Sequence, residues 1–174
     1  MQADEVIDDF SSAERASNGQ RWRYFSDRVM GGVSTGSAAH AVIDGRAALH
    51  LTGQVSLENN GGFVQVALDL IPDSTTLDAH PYSGITITLR GDGGAYALNL
   101  RTSDLRYPWQ SYRCPIQSTL GWQSFSCAFS DFEAHRTDRP LDTARLRRVG
   151  LIAIGEARAV DVALGDLRFY TARD

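Results

Sequence analysis

What most constrains this chain is period-two alternation of apolar and polar residues, the signature of strands that bury one face. Ile85, Ile87 and Leu89 alternate with Thr86, Thr88 and Arg90, and Tyr96, Leu98 and Leu100 alternate with Ala97, Asn99 and Arg101. Two such runs joined by Gly91-Asp92-Gly93-Gly94 predict a β-hairpin. Val64, Val66, Leu68 and Leu70 mark another strand, stopped by Pro72, which has no amide hydrogen for a ladder. Tyr112, Cys114 and Ile116 share one face of a later strand. Phe125, Cys127 and Phe129 share one face of the next, with a turn near Leu120-Gly121. Arg148 to Ile154 is a nearly continuous apolar run, as expected of a strand covered on both faces. In the last strand Val160, Val162 and Leu164 give way to Leu167 and Phe169. That one-residue slip at Gly165-Asp166 predicts a β-bulge. Helical signals are confined to Ser11 to Ala16, capped by Ser11 or Ser12, and to Asp142 to Leu146 after Pro140.

Eight or more short strands with regularly spaced turns predict an all-β fold, a β-sandwich of jelly-roll type. A chain of 174 residues is long enough to bury a core without metal or disulfide. It reads as a single domain over residues 1–174 with its core at about 6–170, expected to be a monomer. The formal net charge of −4 argues against nucleic acid and against an anionic membrane surface. No apolar run is long enough for a membrane span. All 17 basic residues are arginine, which excludes Schiff-base and phosphate-loop lysine chemistry. The start Met1-Gln2-Ala3-Asp4-Glu5 suits either a native cytoplasmic beginning or a periplasmic domain whose export signal was removed.

Gly32-Val33-Ser34-Thr35-Gly36 matches the G-x-S-x-G nucleophile elbow, but the elbow needs a helix after the serine, and residues 37–51 carry no helical pattern. No catalytic residue is therefore assigned. His40, His50, His80 and His135 lack metal-ligand spacing, and no cofactor is implied. Asp8-Asp9 and Asp69 with Asp73 read as solvated or capping carboxylates, and Arg145, Arg147 and Arg148 as a solvated basic face. If the turn near Leu120-Gly121 closes a hairpin, Cys114 and Cys127 oppose each other across it. Buried free thiols and a cross-strand disulfide both remain open; the geometric demands of such a bridge favour thiols.

The run Trp22 to Ser34, with Asp27-Arg28-Val29-Met30-Gly31-Gly32-Val33-Ser34 at its end, closely resembles the first motif of the complex I intermediate-associated protein 30 family. Asn60-Gly61-Gly62-Phe63 resembles the family's second motif. Tyr82-Ser83-Gly84 leading to Leu89-Arg90-Gly91-Asp92-Gly93 and Tyr96 resembles its third, and Trp122 with Phe129-Ser130-Asp131-Phe132 its fourth. The ending from Val149 to Phe169 follows the same pattern. The resemblance implies a galactose-binding-domain-like jelly roll without catalytic residues. It also implies an assembly-factor or chaperone role, in which mitochondrial members hold respiratory complex I intermediates. This chain looks like a stand-alone bacterial-type member.

Two functions compete: a protein-interaction module and a carbohydrate-binding module. For the first, Asp27, Met30, Gly31, Gly32, Ser34, Asn60, Gly62 and Phe63 are the candidate residues. Gly31-Gly32 and Gly61-Gly62 permit positive φ or a close backbone approach, and Asp27 and Ser34 fix a loop. Met30 either plugs the sandwich end or meets a partner. For the second, Thr86, Thr88, Asn99 and Arg101 offer a polar face beside Tyr107 and Trp109, with Arg90 and Asp92 at its edge.

Overall fold

A computed structural model describes residues 5–72 and 75–172. The strands are β1 (Glu5–Asp8), β2 (Arg23–Ser26), β3 (Thr35–Ile43), β4 (Arg46–Val55), β5 (Phe63–Asp69), β6 (Gly84–Gly91), β7 (Ala95–Thr102), β8 (Ser111–Gln117), β9 (Gln123–Ala128), β10 (Glu133–His135), β11 (Leu146–Ile154) and β12 (Arg158–Tyr170). They form two antiparallel sheets. One has the order β3-β4-β12-β6-β9, with β1 added to β12 beyond the end of β4; the other has the order β10-β8-β7-β11-β5-β2. The alternating apolar residues of both sheets meet in one core. Ile85, Ile87 and Leu89 come from the first, and Val64, Val66, Leu68, Leu98, Leu100 and Leu151 from the second. The expected jelly-roll sandwich is what forms.

Strand positions follow the alternation closely, but the connections do not follow the turns. β6 lies in the first sheet and β7 in the second, so Gly91-Asp92-Gly93-Gly94 carries the chain across the sandwich and closes no hairpin. The same holds for residues 118–122 between β8 and β9. Two apolar-faced strands can meet through their faces as well as through their edges, and alternation is identical in both cases. The hairpins that do form are β3–β4 and β7–β8. The first turns through Asp44 and Gly45, both at positive φ (46° and 79°), the backbone that a two-residue turn of this hand requires.

Cys114 and Cys127 are joined by a disulfide, so the free-thiol expectation is corrected. The bridge is not cross-strand. It links β8 of one sheet to β9 of the other, with Cα atoms 6.3 Å apart, and staples the sandwich through its core. The objection to a bridge assumed paired strands; facing strands of opposed sheets present their side chains to each other directly.

The slip in β12 is the predicted bulge: its register with β6 shifts between Leu164 and Asp166. Ser11 to Ala16 forms bends, not a helix. Asp8 explains it. Its Oδ1 accepts from the amides of Phe10 (2.9 Å) and Ser17 (3.2 Å), and its Oδ2 from the indole of Trp22 (2.7 Å). A side chain that satisfies local amides competes with helix formation. Asp8 and Asp9 are thus turn-forming acceptors, while Asp73 lies outside the described residues. The second helical signal is a single 3₁₀ turn at Thr143–Arg145, capped by Asp142.

Candidate functional site

The Asp27–Ser34 segment begins with a 3₁₀ turn, Asp27–Met30, capped by Ser26 and ended by Gly31 at φ 88°. Its organising group is the Asp27 carboxylate, which is fully buried. Oδ1 accepts from the Ser34 amide (3.0 Å). Oδ2 accepts from the Ser34 hydroxyl and from the amides of Gly62 (2.6 Å) and Phe63 (3.3 Å). Ser34 Oγ in turn accepts from the Ser56 amide (2.9 Å). Burial raises the Asp27 pKa, but the bonds from Ser34, Gly62 and Phe63 outweigh it and hold the carboxyl below its usual range. One carboxylate therefore ties the first glycine pair to the second.

The glycines follow from this pin. A Cβ on Gly32 would stand 2.5 Å from Asp27 Cγ, and one on Gly61 would stand 2.5 Å from Asp27 Oδ2. Gly31 and Gly62 instead hold positive φ. Gly61→Ala is expected to cost about 1–3 kcal/mol through overpacking against the carboxylate. Urea unfolding measures it, and an unchanged midpoint would refute the close approach. Ser34 is buried and bonded to Asp27, and a strand, not a helix, begins at Thr35, so the elbow geometry is absent. Met30 faces outward and is 52% exposed. Asn60 ends a 3₁₀ turn, Glu58–Asn60; its side chain lies outside the described structure.

Met30 and Phe63 stand on the rim of a groove of about 1140 Å³ on the outer face of the second sheet. Its floor is read from the ladder. Arg113, Asn99, Gly150, Ala67 and Arg23 form one row across β8, β7, β11, β5 and β2; Pro115, Ala97, Ile152, Gln65 and Phe25 form the next. Gly150 leaves room for Gln65, whose Nε2 would lie 2.7 Å from an added Cβ. The nearly continuous apolar run of β11 is explained here, since one face enters the core and the other, through Ile152 and Ile154, lines the groove.

One wall is the loop between β7 and β8. Arg101 holds it from below, donating to the carbonyls of Tyr107 (3.0 Å), Pro108 (3.3 Å) and Gln110. Burial, and then the charge of Arg148, lowers the Arg101 pKa. The side chain of Gln110 closes the loop, accepting from the amides of Arg106 and Tyr107 and donating to the Arg136 carbonyl. On this scaffold Tyr107 and Trp109 stack at 4.8 Å and 7°, with Trp109 52% exposed. Phe25 and Phe63 meet edge-on at 6.5 Å on the other side. Asn99 Oδ1, Ser111 Oγ and Arg113 Nε are buried without a hydrogen-bond partner, and all three residues line the groove. Buried polar atoms are normally satisfied, so such orphans mark a place where something else can bond.

The structure brings Met30, Phe63 and Trp109, which the sequence assigned to two separate surfaces, to one groove. It does not bring the proposed polar face together. Thr86 and Thr88 lie on β6 and bond Ser126 and Ser124, on the face of the sandwich opposite Asn99 and Arg101. Arg90 pairs with Asp44 on that face. Asp92 organises the crossover, accepting from Gly94, Tyr96 and Arg158. Gln65, Ser111, Arg113, His135 and Ile152 went unrecognised. Their one sequence signal is phase: Gln65 and Arg113 are the polar positions between core residues, on strands whose sheet membership alternation leaves open. Among the described residues no three His, Cys, Asp or Glu side chains are grouped to hold a metal, and no helix is long and apolar enough to cross a membrane.

The sequence profile described as complex I intermediate-associated protein 30 matches residues 9–166. The chain belongs to this family. For this family member the motif residues thus have a physical basis in the Asp27 pin and the glycines around it. No curated protein matches the chain. Among solved structures it is similar to the family 11 carbohydrate-binding module of the Clostridium thermocellum cellulosomal cellulase Lic26A-Cel5E. Identity there is 11% and the TM-score 0.76, covering 100% of this chain and 98% of that one. A family 11 carbohydrate-binding module from Clostridium thermocellum in complex with a β-1,3-1,4-mixed-linked tetrasaccharide matches at 14% identity and TM-score 0.72, covering 98% and 97%. A family 30 carbohydrate-binding module of the Clostridium thermocellum cellulosomal cellulase Cel9D-Cel44B matches at 13% identity and TM-score 0.67, covering 99% and 100%. At these identities the likeness shows a shared jelly-roll sandwich.

Proposed function

We infer that this family member is a non-catalytic binding domain whose outer-sheet groove takes an oligosaccharide. The observation that carries this reading is the meeting, in one trough, of the exposed Trp109 ring with buried polar atoms that have no partner. A sugar ring has an apolar C–H face and a rim of hydroxyls. The face packs on an indole or phenol ring, and the hydroxyls supply the bonds that Asn99 and Ser111 lack. The tetrasaccharide held by the similar family 11 module supports the same class of ligand for this fold. The Cys114–Cys127 bridge supports work in an oxidising compartment.

Trp109→Ala is expected to weaken oligosaccharide binding by about tenfold or more while leaving the melting temperature unchanged, because the ring is half exposed. Calorimetric titration checks both. A glycan array without hits, with or without calcium, would sink the reading.

A protein partner, and with it an assembly-factor role, is the second reading. Family membership favours it, as do the exposed apolar side chains of Val29, Met30 and Leu57 near the groove. Flexible methionine suits a surface that adapts to a polypeptide. A pull-down from the native host in which Met30→Ser loses a specific protein supports this reading; recovery of none counts against it.

A further inference from the structure

The groove is electrostatically one-sided. Its lining holds Arg23, Arg113, Arg136, Arg148 and His135 and no carboxylate, although the chain as a whole carries a formal net charge of −4. Two of these arginines are accounted for: Asp69, beside the groove, accepts from Arg23 (3.2 Å) and Arg148 (2.8 Å). Arg113 is different. It stands in the floor row beside Asn99, and its Nε is buried without a partner. Its neighbour on β10, Glu133, is exposed to solvent. Burial and then the charge of Arg136 pull the Arg113 guanidinium below its ordinary range; burial, Arg113 and Arg136 lower the His135 pKa against the opposing pull of Glu133.

Arg113 is partly buried; drawing part of a guanidinium out of water without an ion pair costs free energy, and a second positive charge beside it adds to the cost. An oxyanion relieves both at once, because the guanidinium fork matches a carboxylate or sulfate with paired N–H donors. The Trp109 ring and the orphaned Asn99 and Ser111 atoms line the same groove, so a sugar stacked there stands within one ligand's reach of that fork.

We propose that the groove selects acidic over neutral oligosaccharides, seating a carboxylate or sulfate of the sugar between Arg113 and Arg136. This rests on the oligosaccharide reading above. A uronate and a sulfated sugar share the chemistry that Arg113 reads, and separate arms of the test distinguish them.

Calorimetric titration of the whole protein with an oligogalacturonate, a sulfated galactan fragment and a neutral mixed-linked glucan tetrasaccharide tests it. At least one acidic ligand should bind about tenfold or more tightly than the neutral one, with affinity falling as salt is raised. Arg113→Gln should erase that preference. Arg136→Gln, at an exposed position, should reduce the preference and serves if Arg113→Gln misfolds. Trp109→Ala should weaken every ligand. Equal affinity for acidic and neutral ligands, or a preference untouched by both arginine variants, overturns the acidic selection and leaves the oligosaccharide reading standing. Binding of no sugar, or binding indifferent to Trp109→Ala, overturns that reading as well.

Discussion

Asp27→Ala is expected to lower the free energy of unfolding by roughly 4 kcal/mol, with a fall in Tm on the order of 10 °C. The carboxylate is fully buried and accepts from three backbone amides and one hydroxyl, so truncation strands those donors away from water. An asparagine at this position would not rescue it: an amide has one acceptor oxygen, and its NH₂ would face a donor. Asp27→Asn should therefore cost nearly as much. The pH dependence follows from the lowered pKa of the folded carboxyl. Above the ordinary carboxylate range, near pH 4, both states are ionised and the stabilisation is complete. As pH falls further the unfolded chain takes up its proton first, and the contribution disappears as pH drops through the lower folded value. The gap between wild type and Asp27→Asn in urea unfolding should thus be full at neutral pH and shrink in acid. A neutral-pH gap below the measurement error would remove the pin from the account of this fold.

Reduction of the Cys114–Cys127 bridge is expected to destabilise the protein by about 3 kcal/mol and to lower Tm by about 9 °C, from the entropy a short loop closure removes from the unfolded chain. The closed segment is short, with a sequence separation of 13, yet it crosses from one sheet to the other. Both sulfurs are buried, so reduction should be slow until the sheets open. Thiol titration of the denatured, unreduced protein should find no reactive thiol; two per chain would rule out the bridge. The Cys114→Ser/Cys127→Ser double variant should melt at the temperature of the reduced wild type or lower, since it also buries two hydroxyls.

The fold class was legible because burial on one face writes itself into every second residue. Val64, Ile85, Leu98 and Val162 each announce a strand and the side of it that enters the core. The bulge at Gly165-Asp166 was legible for the same reason, as a break in phase. The candidate site was legible in fragments. Glycine pairs at residues 31–32 and 61–62 signalled close packing, and Trp109 and Tyr107 signalled a surface aromatic loop, but nothing in their spacing related one to the other.

What the amino-acid sequence determined by itself is strands β5 to β9, β11 and β12, their inward faces and the family motif, since each is a local consequence of side-chain type and period. What only the tertiary structure decided is which strands pair at their edges and which meet across the core. That choice sent β6 and β7 to opposite sheets, separated Thr86 and Thr88 from Asn99 and Arg101, and turned an expected cross-strand cysteine pair into a staple between sheets. It also set Arg113, Asn99, Gly150, Ala67 and Arg23 side by side in a groove floor. The reason is physical. Alternation records that a face is buried and carries no record of what buries it, whereas pairing depends on contacts between residues far apart in the chain.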